Sequence, residues 1–121
     1  MSLRASLSNQ GEITVISLEG QLDYENQDVL RENILVLMQG GKKVVVDMEG
    51  LNFVGSSGIT HFIRSLYEFQ EAGYSVPRLC NVRSEFRKII NAYDINKDFS
   101  IHESRESAMT DFFRLGAGEN N

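Results

Sequence analysis

Apolar and polar residues alternate at the start of the chain. Leu3, Ala5 and Leu7 fall on one side of an extended backbone and Arg4, Ser6 and Ser8 on the other, the pattern of a half-exposed strand. Asn9-Gln10-Gly11 is a turn signal. Ile13-Thr14-Val15-Ile16-Ser17-Leu18 then reads as a second strand, rich in β-branched residues. Together the two runs predict an antiparallel hairpin.

Helical spacing takes over after Gly20-Gln21-Leu22-Asp23, which breaks the second strand. Asp23 is placed to cap a helix, because its carboxylate can accept a backbone N–H left unpaired in the first turn. Leu30, Ile34, Leu37 and Met38 follow at helical spacing, with Glu25, Asp28 and Glu32 near the end where the dipole favours acids. Gly40-Gly41 ends this helix. Lys43 to Met48 does not alternate, so both faces are expected to be covered, as in a parallel strand beneath helices. Glu49 to Gly55 reads as a connection, and the next helix starts at Ser56 or Ser57. Its apolar stripe is Ile59, Phe62, Ile63, Leu66 and Phe69, and Gly73 closes it.

Val76 to Val82 is a fourth strand, with Pro77 near its start, where a missing donor matters least. Ser84 is expected to cap a short helix that carries Phe86, Ile89, Ile90 and Tyr93 on one face. Phe99 to His102 is a short strand. Ser104 caps a last helix with Ala108, Met109, Phe112 and Phe113 turned inward. The order β-β-α-β-α-β-α-β-α predicts one α/β domain over 3–114, with about four helices on a mixed, mainly parallel sheet and a hairpin at one side. Residues 115–121 read as a flexible tail.

Composition narrows the function classes. A chain of 121 residues suits one domain. Its 12 basic and 17 acidic residues leave a net charge of −5, which disfavours nucleic acid and anionic membrane surfaces as partners. Cys80, alone of its kind, can form neither an internal disulfide nor a thiolate zinc site, and within an apolar strand it is expected to be buried and inert. No apolar run approaches the roughly 18–20 residues of a membrane span, and no signal-peptide core precedes the first strand, so a cytoplasmic location is the simplest reading. No metal-ligand spacing appears, and no cofactor is implied. The tyrosines Tyr24, Tyr67, Tyr74 and Tyr93 have no spacing that suggests a base-stacking platform.

Chemistry in such sheets gathers beyond the carboxyl ends of the strands. Gly20 to Asp23 and Asp47 to Gly58 end there. The second segment holds Phe53-Val54-Gly55-Ser56-Ser57-Gly58-Ile59, which puts two hydroxyls at the mouth of a helix. Either serine can be an ordinary N-cap. Either can also be a phosphate acceptor or an anion contact, since a helix N-terminus presents unpaired N–H groups and the positive dipole end. The two readings are compatible, one serine capping and the other facing out. The glycines lack the spacing of a G-x-S-x-G elbow, and no Lys-Ser or Lys-Thr follows to make a P-loop. Asp47, Ser56 and His61 can be named as a triad, but any small domain offers such a set by chance, and His61 falls between apolar positions on a helix surface. Asp23 and Asp47, if they flank the same mouth, would add to its negative field.

The sequence resembles the STAS domain, the family of bacterial anti-sigma factor antagonists. The resemblance is carried by Leu18-Glu19-Gly20-Gln21-Leu22-Asp23, Val44-Val45-Val46-Asp47-Met48, Leu51 through Ile59 and the aromatic-aliphatic helix Ser84 to Tyr93. It implies that Ser56, with Ser57 as the alternative, is phosphorylated by a partner that is both an anti-sigma factor and a serine kinase with a histidine-kinase-like ATPase fold. It further implies that Asp23, Gly55, Ser56, Ser57 and Gly58 meet that partner, that phosphorylation switches the binding off, and that a serine phosphatase restores it. The family's acceptor pattern has an aspartate where this chain has Gly55. Some members with such departures serve as unmodified interaction or scaffold modules.

Overall fold

The computed structural model describes residues 2–93 and 101–113, with only the backbone described at Tyr93. In chain order the elements are β1 (Leu3–Gln10), β2 (Ile13–Leu22), α1 (Gln27–Gln39), β3 (Lys43–Val54), α2 (Ser56–Glu71), β4 (Arg78–Cys80), α3 (Ser84–Tyr93), β5 (Ile101–His102) and α4 (Arg105–Asp111). The strands form one sheet in the order β1-β2-β3-β4-β5. β1 pairs antiparallel with β2, and the remaining pairs are parallel. This is the expected α/β architecture, hairpin included. Phe99 and Ser100 of the expected fifth strand, and the tail 115–121, lie outside the described residues.

The two faces of the sheet differ. Val44, Val46 and Met48 of β3 join Ile16, Leu18 and Leu22 of β2 in the main core, against Leu30 and Ile34 of α1, Phe62 and Leu66 of α2 and Phe86 and Ile90 of α3. On the opposite face a smaller cluster of Ile13, Val15, Val45, Cys80 and Ala108 lies under α4. The apolar stripe foreseen for α2 is buried throughout. Phe113, expected inward, is exposed; it lies beyond the end of α4 at Asp111.

Two strands run further than expected. β2 continues through Gly20, whose φ of +101° suits glycine and whose missing side chain makes room for the Ser2 carbonyl. β3 continues through the supposed connection to Val54. The β2–β3 register shifts twice, between Ser17 and Glu19 and between Gly20 and Gln21. Each shift gives β3 one residue more than its partner and reverses which side chains face the helices. Hence Val44, Val46 and Met48 are followed in the main core by Leu51 and then Val54, while Phe53 is turned out. A period-2 reading sees this stretch as a loop because its phase changes.

The helix ends follow local chemistry. Gly41 at φ +87° and Gly73 at φ +93° end α1 and α2. Lys42 N donates to the Leu37 carbonyl and Tyr74 N to the Phe69 carbonyl, as in Schellman motifs. Ser104 caps α4, accepting from Ser107 N at 3.1 Å. Two expected caps differ. Ser84 is the first residue inside α3, with Arg87 N donating to the Arg83 carbonyl. α1 begins at Gln27, and Asp23 closes a turn ahead of it.

Asp47 is buried on the α4 face and does not reach the helix mouth. Its carboxylate accepts from Arg105 Nε at 2.5 Å, Asn81 Nδ2 at 3.1 Å and Glu49 N at 3.0 Å. Arg105 also reaches the Ser17 hydroxyl, so the start of α4 is tied across β2 and β3. Burial alone would raise the Asp47 pKa. The Arg105 hydrogen bond, with those from Glu49 and Asn81, outweighs it and holds the carboxyl below the ordinary 3.8. Burial, reinforced by the Asp47 charge, pushes the Cys80 thiol up to about 12, so this cysteine is inert as foreseen.

The start of α2 is fixed by a close approach. A Cβ on Gly58 would lie 2.5 Å from the carbonyl carbon and 2.8 Å from Cα of Asp23, so backbone occupies the place of a side chain. Val54, Gly55 and the first turn of α2 are thereby seated against the end of β2.

Three outcomes follow from these contacts. Arg105→Ala should cost about 2–4 kcal/mol, the cost of leaving a buried carboxylate uncompensated, reduced because Arg105 is partly exposed. Because the folded-state pKa of Asp47 is depressed, its contribution is present above about pH 4 and is lost as pH falls through the folded value. Urea titrations of Asp47→Asn should therefore show a shallower acid limb than the wild type; an identical limb would contradict this. Gly58→Ala should destabilise by about 1–3 kcal/mol through overpacking, measured by the same titration at neutral pH.

Candidate functional site

β2 ends at Leu22 and β3 at Val54, side by side in register. Gly55 N donates to the Leu22 carbonyl at 2.9 Å, joining the two strand ends where α2 begins. The polypeptide after Leu22 is held by reciprocal bonds. Asp23 Oδ1 accepts from Glu25 N and Asn26 N, both at 3.0 Å. Asn26 Oδ1 accepts from Asp23 N at 2.9 Å, and Asn26 Nδ2 donates to the Gln21 carbonyl at 2.8 Å. Each partner satisfies a backbone N–H that would otherwise be orphaned, so the turn is set by its own sequence. Gly58 then brings this turn against α2. Asp23, Gly55, Ser56, Ser57 and Gly58 are thus gathered in one place, and Asp47 is not among them.

Gly55 is the N-cap residue of α2, with φ −78° and ψ 142°, and no side chain caps the helix. The capping roles foreseen for the serines are not taken. Ser56 and Ser57 are the first two helical residues, both exposed, and among the described residues neither hydroxyl has a hydrogen-bond partner. Their carbonyls are used instead: Thr60 Oγ1 donates to Ser56 O at 2.6 Å, and His61 Nδ1 to Ser57 O at 2.8 Å. No acidic residue lies in the first turn of α2, so the positive end of its dipole is not offset by a side chain of its own.

His61 is half-buried rather than loose on the helix surface. Its ring meets Tyr24 edge-on, with centroids 4.7 Å apart and planes at 82°. Donation from Nδ1 to a carbonyl requires a proton on that nitrogen, so the ring is held to the helix backbone at this atom. With Asp47 bound to Arg105, the residues of the nominal triad do not form one. Among the described residues, no group of three or more His, Cys, Asp or Glu could hold a metal ion, and no helix is long and apolar enough to cross a membrane.

Two aromatic residues escaped the sequence reading. Tyr24 is 55% exposed beside His61. Phe53 is 48% exposed, and its Cε2 lies 3.4 Å from where a Gly55 side chain would begin. Exposed aromatics of this kind can anchor a protein partner. The available signal was an aromatic residue directly before a Gly-Ser-Ser-Gly helix start, but Phe53 stands outward only because of the second register shift.

Comparison with known proteins agrees with this geometry. Solved structures that resemble the chain include an anti-sigma factor antagonist from Mycobacterium paratuberculosis, at TM-score 0.73 and 18% identity over 90% of this chain and 92% of that one. The anti-sigma factor antagonist SpoIIAA in its unphosphorylated form matches at TM-score 0.67 and 23% identity, over 93% of this chain and 99% of that one. The Bacillus cell fate determinant SpoIIAA in the phosphorylated form matches at TM-score 0.65 and 24% identity, over 92% of this chain and 100% of that one. No curated protein sequence matches. The family model for the STAS domain matches residues 4–108, and the chain belongs to the STAS domain family.

Proposed function

We propose that this chain is an anti-sigma factor antagonist, a binding protein whose surface at the start of α2 meets an anti-sigma factor and is switched by phosphorylation of Ser56. One observation carries the reading. Ser56 presents an exposed hydroxyl, unbonded among the described residues, on the first residue of a helix that lacks a side-chain cap. The partner is an anti-sigma factor of the histidine-kinase-like ATPase fold, acting as kinase, and a serine phosphatase reverses the modification. Ser57 is the alternative acceptor. Such a protein works by binding in the cytoplasm and needs no cofactor.

The physical basis of the switch is local. A phosphate adds about −1.5 to −2 charges and three acceptor oxygens. Within the domain the dipole of α2 favours this by about 0.3–2 kcal/mol, and no acidic side chain in the first turn opposes it. Across an interface the sign reverses. A partner carboxylate about 4 Å away repels each unit of charge by about 4 kcal/mol at an effective dielectric of about 20. Half of that already lowers affinity more than tenfold. The switch requires no refolding, because the mouth is already held by the side chain–backbone hydrogen bonds of Asp23 and Asn26 and by the close packing of Gly58 on Asp23.

Gly55 supports a second reading, an interaction module that is not modified. It stands at the position of the family's aspartate, and nothing in its surroundings demands glycine. Its φ of −78° is open to any residue, and the nearest neighbour of an added Cβ is the far end of the exposed Phe53 ring.

Phosphorylation by a cognate anti-sigma kinase with ATP should place one phosphate on Ser56, read by mass spectrometry, and Ser56→Ala should abolish it. Ser56→Asp should weaken binding to the same partner at least tenfold by calorimetry. Unchanged affinity, together with no phosphate, would favour the unmodified module. Gly55→Asp should cap α2, raising stability by a few tenths to about 1 kcal/mol, and should speed phosphorylation of Ser56.

A further inference from the structure

β1 is an edge strand, and among the described residues no further strand pairs with its outer edge. Ser2 lies opposite Gln21 in the β1–β2 register, and Gln21 N donates to the Ser2 carbonyl at 3.1 Å. Ser2 and Gln21 are therefore a hydrogen-bonded pair. The alternation of an antiparallel ladder turns the N–H and C=O groups of Arg4, Ser6 and Ser8 toward β2, and those of Leu3, Ala5 and Leu7 outward. The usual protections of an edge are missing: β1 contains no proline and no bulge, and its one charged residue, Arg4, is paired with Glu19 at 2.8 Å.

The side chains of Leu3, Ala5 and Leu7 continue into a groove of about 550 Å³ between β1 and α1. Leu7, Val29 and Val36, at 59%, 63% and 64% exposure, are all the large aliphatic side chains exposed among the described residues, and all three line this groove. Among the described residues no ionisable side chain lines it, in a chain whose net charge is −5.

We propose that this edge and groove are the contact between two copies of the chain, paired antiparallel through β1 into one continuous sheet. An antiparallel edge is its own complement under a two-fold axis, so a second copy meets every outward donor with an acceptor. With Ala5 opposite Ala5, Leu3 faces Leu7 on the helix side and Arg4 faces serine on the other, so the two Arg4 side chains are not opposed. Both copies carry a net charge of −5, and contact through this groove sets no ionisable lining residue of one copy against a like charge of the other. The area is sufficient for a modest dimer. Eight residues span about 27 Å, and the depth from the strand to the outer side of α1 is about 20 Å, giving roughly 1,000 Å² over both copies, at the low end for a specific interface.

Sedimentation velocity of the full chain from about 1 μM to 1 mM should show a reversible monomer–dimer equilibrium, in the range expected for a small interface. Two variants test its two halves. Ala5→Pro removes an outward N–H, which an edge strand tolerates, and Val36→Glu puts a charge into the apolar groove. Each should raise the dissociation constant at least tenfold while the far-ultraviolet circular dichroism stays that of the wild type. A chain that is monomeric throughout overturns the proposal. So does a dimer that persists in a folded variant of either kind.

Discussion

The parallel pairing of β2 with β3 is the constraint on which the remaining structure rests. β3 gains one residue at each of two register shifts, and each gain restores an apolar side chain to the helix face. Without the shifts, Leu51 and Val54 would not both reach the core that holds Val44, Val46 and Met48. The same offsets bring β3 to its end beside Leu22, so that Gly55 can bond back to β2 and α2 can start there. The position of the two serines is thus a result of sheet packing.

Charge and close packing are divided between the two sides of the sheet. The α4 side carries a buried carboxylate, Asp47, compensated by Arg105, and a second ion pair between Arg78 and Asp111 at 2.7 Å. These pairs fasten a short helix that buries little apolar surface of its own. The opposite side is apolar and carries α1, α2 and α3. Among the described residues, no ion pair holds the mouth of α2. It is held by the Asp23–Asn26 turn and by the absence of a side chain at Gly58. A site held by side chain–backbone hydrogen bonds and close packing, without ion pairs, can accept a change in charge at Ser56 while its frame stays in place, which is what a switch by phosphorylation requires.

Much of the fold was legible because its signals are local. The hairpin, the stripe of α2, the glycines that end α1 and α2 and the Ser104 cap each follow from a few neighbouring residues and one backbone preference. The sites of error were also consistent. Gly20 and the stretch from Glu49 to Gly55 looked like breaks in strands, yet both lie within or beside pairing that a neighbouring strand imposes. Asp47 looked like part of the functional mouth because it precedes the serines in sequence. It turns to the other face of the sheet, where Arg105 from the far end of the chain neutralises it.

The chain by itself determined the order of elements, the apolar faces that must be buried and the serine pair at a helix start, since hydrophobic period and turn chemistry are properties of adjacent residues. Only the tertiary structure decided that neither serine hydroxyl is used as a cap, that Tyr24 and Phe53 stand exposed beside the site, and that β1 with α1 leaves an uncharged apolar face open. Those outcomes depend on strand register and on which backbone approaches which, and such contacts join residues whose separation along the chain carries no trace of their meeting.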